Sequence, residues 1–157
     1  MFISYGAHSD TFLLLEYGFI TGKNKNNFVD VSTDEIFYPL EISVNNRAEI
    51  CKQSVLYGCS SGYGLNDDGI TWSTIRIIGI TFFIINKLKI EVYIYNALQT
   101  WPEPIMTWSI QRIEHILTEK IKTFETSRDK IRENILRDFL EDQIAVMIHC
   151  KKTKNWD

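Results

Sequence analysis

Apolar residues recur at steps of three and four toward the end of the chain, and this spacing predicts two long amphipathic helices. The first apolar stripe consists of Ile110, Ile113, Leu117, Ile121 and Phe124. The second consists of Ile131, Ile135, Phe139, Ile144 and Met147. A polar turn near Ser127 separates them, and this serine is a candidate helix cap. We expect an antiparallel pair in which each stripe is buried against the other or against the body of the protein.

The middle of the chain predicts two further helices. Residues 47–57 form an amphipathic pattern that Gly58 stops. Thr71, or the residue before it, begins a strongly apolar helix that runs to Ile85. Gly79 in its interior costs roughly 1 kcal/mol relative to alanine, which indicates close packing against a neighbouring element. The apolar run of this helix is far shorter than the ~20 residues that a membrane-spanning helix needs, so we expect a core helix.

Three segments between these helices are less regular. Residues 59–69 carry three glycines and two serines, which predicts a loop or a short hairpin. Residues 90–98 alternate as a strand does, whereas their helical surroundings favour a helix. The prolines of the Trp101–Pro104 segment predict a clear break before the first long helix.

The first 44 residues combine short strands, turns and short helices. Residues 2–4 have the character of a strand end, and Ser9 is a candidate cap for a short helix that ends at Gly18. The apolar residues of this helix, which we expect to face inward, are Leu13, Leu14 and Leu15. Residues 22–27 are polar and turn-rich, which predicts an exposed loop. Residues 28–31 alternate as a half-buried strand, and Ser32 with Glu35 predicts a capping box.

The composition narrows the class of protein. Hydrophobic residues make up 45% and charged residues 24% of the 157 residues, as in ordinary globular proteins. A net charge of −3 gives no support for a nucleic-acid surface. The three cysteines are widely spaced, so the sequence predicts neither a metal site nor a disulfide framework and favours a reducing compartment. We expect no signal peptide and no membrane segment, and a location in the cytoplasm or the nucleus.

The most informative stretch is residues 2–19, which reads Phe-Ile-Ser-Tyr-Gly-Ala-His-Ser-Asp-Thr-Phe-Leu-Leu-Leu-Glu-Tyr-Gly-Phe. It places Tyr5 and Tyr17 at the two ends of the short helix pattern, each before a glycine, with Phe19 directly after the second glycine. This run resembles the closing segment of a SET domain, the catalytic module of protein-lysine methyltransferases. It is most similar to the branch typified by the Rubisco large-subunit methyltransferase.

The resemblance implies a role for each of the three aromatic residues. Tyr5 matches the catalytic tyrosine, which lies next to both S-adenosylmethionine and the target nitrogen. Tyr17 matches the tyrosine that lines the substrate lysine channel, and Phe19 matches the aromatic residue near the adenine of the cofactor. Aromatic faces attract a cationic lysine, and a phenol oxygen can orient its amine by hydrogen bonding. The implied partner is a protein substrate that carries the target lysine.

A second and weaker resemblance lies in the segment Leu65–Trp72, which looks like the start of the helical substrate-binding lobe of the same branch. The sequence therefore predicts a mostly α fold with two parts. Residues 1–44 would be a short β and turn remnant, the C-terminal end of a SET domain. Residues 45–157 would be a helical lobe similar to the substrate-binding lobe.

Two features of the family pattern are missing. SET domains bind the cofactor through an early glycine-rich strand and an Asn-His motif, and no Asn-His dipeptide occurs in the chain. The Gly62–Gly64 segment lies after the tyrosines, where it reads as a simple loop. We therefore expect a fragment of a lysine methyltransferase that is inactive by itself. The alternatives are a non-catalytic helical module that binds a protein partner, and a helical protein with a chance motif.

Overall fold

The structure is a computed structural model that describes residues 7–22, 24–89 and 101–153. Three predictions lie outside these residues: the strand at 2–4, the role of Tyr5, and the choice between helix and strand at 90–98. Within the described residues the fold is mostly α, as predicted, with six helices and one small sheet.

The helices and strands follow one another in the order that the hydrophobic pattern indicates. The helices are α1 (Asp10–Tyr17), α2 (Thr33–Phe37), α3 (Val44–Leu56), α4 (Trp72–Ile85), α5 (Ile105–Arg128) and α6 (Asn134–Thr153). The strands are β1 (Val29–Asp30), β2 (Gly64–Asn66) and β3 (Gly69–Ile70), and they form one sheet in the order β1-β2-β3. The glycine-rich segment before α4 is therefore a short hairpin. Among the described residues, no helix combines the length and the apolar character that crossing a bilayer requires.

The described residues divide into two compact units. The first comprises the residues up to Val29, Leu65–Gly69 and the residues from Leu117 onward. The second comprises Asp30–Gly64 and Ile70–Ile116. The predicted division after residue 44 rested on the resemblance and stays a prediction.

In the first unit, α1 begins and ends where its capping residues predict. The Ser9 hydroxyl accepts a hydrogen bond from the backbone N–H of Phe12, and Gly18 ends the helix in the left-handed region with φ 73°. The prediction that all three leucines face inward is wrong for one of them. Leu13 is buried, but Leu15 is 79% exposed. Successive residues of a helix point about 100° apart around its axis, so Leu13 and Leu15 point about 200° apart. A short helix that buries Leu13 therefore turns Leu15 toward solvent.

The same unit contains α6, whose apolar stripe is as predicted in its second half only. Ile131 lies before the helix, and Ser127, the candidate cap, lies inside α5. Ile144, Met147 and Cys150 are buried, and Lys151 Nζ donates a hydrogen bond of 2.8 Å to Thr118 Oγ1 on α5. Because only five residues connect the two helices, this contact near the end of α6 requires the chain to reverse, as the predicted antiparallel pair does. Ile135 was predicted to face inward and is 36% exposed. It lies in the first turn of α6.

In the second unit, the helices again begin at residues whose side chains cap the first turn. Ser32 and Glu35 form the predicted capping box, since each side chain bonds the backbone N–H of the other residue. Thr71 caps α4 by accepting a hydrogen bond from the N–H of Thr74. Helix α3 begins at Val44, three residues before the predicted start, because Ser43 supplies its cap.

Helix α4 is the core of the second unit and packs against α3. Its fully buried apolar side chains are Ile77, Ile78, Ile80 and Phe83. Gly79 lies on the same helix directly beneath the indole ring of Trp101, and a Cβ at this position would overlap that ring. The close packing that the glycine predicted is thus confirmed, and the tryptophan of the Pro-containing break is the neighbour.

Trp101 is held from two sides. Its Nε1 donates a hydrogen bond of 3.1 Å to the carbonyl oxygen of Ile75, and the Arg76 guanidinium lies 5.2 Å from the ring centroid. The ring therefore has little freedom to move away from Gly79.

Replacement of Gly79 by alanine should destabilise the protein despite the higher helix propensity of alanine. The propensity gain is roughly 1 kcal/mol, whereas forcing a methyl group into a packed core costs ~1–3 kcal/mol or more when the neighbour is fixed. We expect the free energy of unfolding, measured by urea denaturation, to fall by about 1–2 kcal/mol. In a Trp101→Ala background the same substitution should be neutral or stabilising. A stabilising Gly79→Ala in the native background would contradict this packing.

Burial also controls the ionisation of one thiol. Desolvation raises the pKa of Cys150 to about 11. Because the thiol of an unfolded chain ionises near pH ~8.5, raising the pH through the interval between the two values favours the unfolded state. The neutral thiol contributes its full stabilisation below pH ~8.5, and this contribution declines as the pH rises toward about 11.

The free energy of unfolding should therefore fall more steeply between about pH 9 and pH 11 in the native protein than in Cys150→Ala. The difference between the two curves should reach on the order of 2 kcal/mol at the alkaline end. Urea denaturation at several pH values measures it. Parallel curves for the two proteins would show that the thiol is not buried as described.

Candidate functional site

Four aromatic side chains form a continuous row along α1 and the residues that flank it. The His8 ring stacks on the Phe12 ring with centroids 4.2 Å apart. Phe12 meets the edge of Tyr17 at 6.2 Å, and Tyr17 lies 6.3 Å from Phe19. We call these four residues the aromatic row. Two of the three predicted site residues, Tyr17 and Phe19, are thus brought together, and the third, Tyr5, lies outside the described residues.

Gly18 makes the contact between Tyr17 and Phe19 possible. With φ 73° it adopts a conformation that side-chain-bearing residues rarely take, and its N–H donates a hydrogen bond of 3.1 Å to the carbonyl oxygen of Leu14. The chain turns at this point, and the rings on either side approach one another. The sequence pattern of an aromatic residue on each side of glycine identified this turn correctly.

The aromatic row is a surface feature. Tyr17 is 53% exposed and Phe12 is 39% exposed, whereas Phe19 is half-buried. His8 is half-buried against Phe12. Exposed aromatic faces of this kind attract cations and flat rings.

A buried carboxyl group holds the segment that follows the aromatic row. Asp10 is fully buried, and its Oδ1 accepts three hydrogen bonds. Two come from the N–H and the hydroxyl of Thr21, at 3.2 and 3.1 Å, and the third comes from Asn24 Nδ2 at 2.9 Å. These bonds fold the chain after Phe19 back onto the first turn of α1.

The same network extends into α6 of the first unit. Asn27 Oδ1 accepts hydrogen bonds from the Asp10 N–H and from Gln143 Nε2, both at 3.2 Å. We call Asp10, Thr21, Asn24, Asn27 and Gln143 the Asp10 network. Within the described residues, Asp10 Oδ2 is buried without a hydrogen-bond partner.

Sequence reasoning missed the Asp10 network. The prediction of an exposed loop at residues 22–27 is wrong for Asn27, which is only 3% exposed. Nothing local in the sequence indicated that Asn27 is buried, since asparagines in a turn-rich segment ordinarily indicate solvent exposure. Only the contact with Gln143, which lies 116 positions away in the sequence, shows that Asn27 belongs to the interior.

The described residues contain no group of three or more histidine, cysteine, aspartate or glutamate side chains that could hold a metal ion. The aromatic row itself offers aromatic faces, the imidazole of His8 and the phenol group of Tyr17. A phenol can donate or accept a hydrogen bond, and an aromatic face can stabilise a nearby cation.

Comparison with known proteins finds two informative relatives. The chain is 26% identical to "SET domain-containing protein 4" of Artemia parthenogenetica over 153 residues, which is 94% of this chain and 38% of the relative. It is 36% identical to "Ribosomal lysine N-methyltransferase 2" of Saccharomyces cerevisiae over 72 residues, which is 46% of this chain and 14% of the relative.

The chain thus spans well under half the length of each relative. No model of a known protein family matches the sequence, and no solved structure matches the fold. The name of the first relative gives a SET domain and that of the second a lysine methyltransferase, so the similarity supports a relationship between this chain and the SET-domain methyltransferases.

Proposed function

We propose that this chain is the C-terminal part of an S-adenosylmethionine-dependent protein-lysine methyltransferase of the Rubisco large-subunit methyltransferase type. The observation that carries the proposal is the similarity to a SET domain-containing protein over 94% of the chain. The contact between Tyr17 and Phe19 adds to it, since the family resemblance assigns both residues to one site. The proposed partner is a protein substrate with a target lysine, in the cytoplasm or the nucleus, and neither nucleic acid nor membrane is involved.

In the proposed reaction, S-adenosylmethionine supplies an activated methyl group for the neutral amine of the substrate lysine. Tyr5 would orient that amine through its phenol oxygen and would also contact the cofactor. Tyr17 would line the lysine channel, where its ring favours the cationic form of the side chain as it enters. Phe19 would pack near the adenine, because a half-buried aromatic ring offers a flat apolar face.

The residues present fit only part of such a site. Tyr17 and Phe19 can provide an aromatic wall, but the Asn-His motif that resembling enzymes use for the cofactor does not occur in these 157 residues. Tyr17 is also more than half exposed, whereas methyl transfer requires that water be kept out of the reacting centre. We therefore propose that the rest of the site comes from a SET-domain portion that this sequence does not include, and that the isolated chain is inactive.

Isothermal titration calorimetry of the 157-residue chain with S-adenosylmethionine tests the second part of this proposal. We expect no tight binding, because the two residues assigned to the cofactor, Tyr5 and Phe19, provide aromatic side chains and no charged partner. The control is a fusion in which the portion of the Artemia relative that precedes the matched region is joined to this chain. Binding of the cofactor by the isolated chain as tightly as by the fusion would contradict the proposal.

The same fusion tests the assignment of Tyr5. Tyr5→Phe removes only the phenol oxygen, so folding should be preserved while methyl transfer to a lysine-containing protein falls about a hundredfold. Tyr38→Phe is the matched control, since Tyr38 is 66% exposed in the second unit and should be dispensable. A loss of only a few-fold with Tyr5→Phe would remove the catalytic role. A fusion that folds but transfers no methyl group would favour the alternative of a non-catalytic protein-binding module.

A further inference from the structure

A groove of about 610 Å³ opens in the second unit between the C-terminal parts of α3 and α4. Gln53, Leu56 and Tyr57 line it from α3 and the residue that caps this helix. Ile84 and Leu88 line it from the end of α4 and the turn that follows. We call it the Leu88 groove. None of the described residues that line it belongs to the aromatic row or to the Asp10 network.

The two walls of the Leu88 groove are fixed by their own backbone hydrogen bonds. Gln53, Leu56 and Tyr57 lie three and four residues apart, so they share one face of α3. On the other side, the N–H of Leu88 donates a hydrogen bond of 2.8 Å to the carbonyl oxygen of Phe83, which closes the turn after α4. The described walls therefore offer side chains to a partner and no free strand edge.

Two leucines on separate elements are exposed at the Leu88 groove. Leu56 is 68% exposed and Leu88 is 47% exposed, and both line the same groove. A single exposed leucine is common in soluble proteins, but two that converge on one concave surface form an apolar contact area. An apolar side chain placed between them would remove all three from water, which favours binding.

The rim of the Leu88 groove carries an excess of positive charge. Lys87 and Lys89 line the groove, and neither forms an ion pair with another described residue. Glu49 also lines it, but this carboxylate is engaged within α3. Its Oε1 accepts a hydrogen bond of 2.6 Å from Gln53 Nε2, and its Oε2 lies 4.0 Å from Lys52 Nζ. Because the whole chain has a net charge of −3, the positive charge is a local feature that suits an acidic partner.

Lys87 occupies a backbone position that glycine would adopt more easily. Its φ is 55°, and among the described residues no other non-glycine residue has a positive φ. It follows the capping residue of α4, where glycine is the usual choice. A side chain in this conformation lowers stability, so its presence points to a use for the lysine besides folding.

We infer that the Leu88 groove is a docking site for an acidic amphipathic helix of a partner protein. An apolar side chain of that helix lies between Leu56 and Leu88. Aspartate or glutamate residues within one turn of it pair with Lys87 and Lys89. This site does not involve the aromatic row and does not depend on methyl transfer, so it stands or falls independently of the proposed function.

The helix is favoured over two other kinds of ligand. An extended peptide binds by pairing its backbone with a strand edge, whereas the described walls belong to helices and a closed turn. A small molecule is ordinarily enclosed on most sides, but Leu56 and Leu88 are themselves about half exposed or more. A helix satisfies its own backbone hydrogen bonds and needs only a groove for one row of side chains.

The experiment is a fluorescence anisotropy titration of a labelled peptide with the 157-residue chain. The peptide is an alanine-based helix with leucines along one face and glutamates beside them. We expect a dissociation constant on the order of 100 μM at low salt. Binding should weaken severalfold at high salt, because the paired charges are exposed. Two further peptides replace all glutamates by lysine or all leucines by glutamine, and each should bind at least about tenfold more weakly.

Two variants of the protein test the charged rim and the apolar wall separately. Lys87→Gly removes one charge and relieves the backbone conformation, so affinity should fall about fivefold while the melting temperature stays the same or rises. A purely structural role of Lys87 would not produce this combination. Leu56→Gln removes one apolar wall and should weaken binding about tenfold. The matched controls, Lys130→Gly in the exposed turn after α5 and Val44→Gln at the 82% exposed start of α3, should leave affinity unchanged.

Four results would overturn the inference. Absence of binding by the leucine–glutamate peptide would remove the docking site. Equal affinity for the lysine peptide would show that charge is not recognised, and equal affinity for the peptide without leucines would reduce the interaction to general electrostatic attraction. Unchanged affinity in both Lys87→Gly and Leu56→Gln, each verified as folded by circular dichroism, would place binding elsewhere on the protein.

Discussion

The buried carboxyl group of Asp10 is the constraint on which the functional features of the first unit depend. A carboxyl group removed from water must recover the hydrogen bonds that it gives up, or folding becomes unfavourable by several kcal/mol. Among the described residues Asp10 recovers them at Oδ1 only, from Thr21 and Asn24, which lie in the segment after α1. The chain can satisfy this group only by folding that segment back onto the start of the helix.

The position of the aromatic row follows from this arrangement. The turn at Gly18 together with the anchored Thr21 holds Phe19 beside Tyr17. The loop that follows is fixed by the same network, since Asn24 bonds Asp10 and Asn27 bonds Gln143.

The second unit shows how a helix can be specified by its neighbours. Helix α4 is apolar on nearly all sides, and its interior glycine would weaken an isolated helix. Trp101 compensates by packing over Gly79, while its indole N–H bonds the Ile75 carbonyl and its ring contacts Arg76. Arg112 has a similar structural role, because its guanidinium donates hydrogen bonds to the carbonyl oxygens of Glu35 and Ile36 at the end of α2. Burial lowers the pKa of this arginine.

The sequence by itself determined the features that depend on residues close together in the chain. The caps at Ser9, Ser32 and Thr71, the end of α1 at Gly18 and the mostly helical fold all follow from local hydrogen bonding and from the spacing of apolar residues. The family resemblance of Tyr17 and Phe19 likewise rested on adjacent positions. It could indicate a reaction class, but not how exposed the rings are.

Only the tertiary structure decided which polar residues are buried and which apolar ones are not. Asn27 lies in a turn-rich loop yet is buried, because Gln143 reaches it from the other end of the chain. Leu15 and Ile135 fit the predicted stripes yet are exposed, because a helix buries only the face that finds a neighbour. The Asp10 network likewise combines residues from α1, from the loop after it and from α6. Long-range contacts of this kind leave no periodic trace in the sequence, so they can be seen only once the chain is folded.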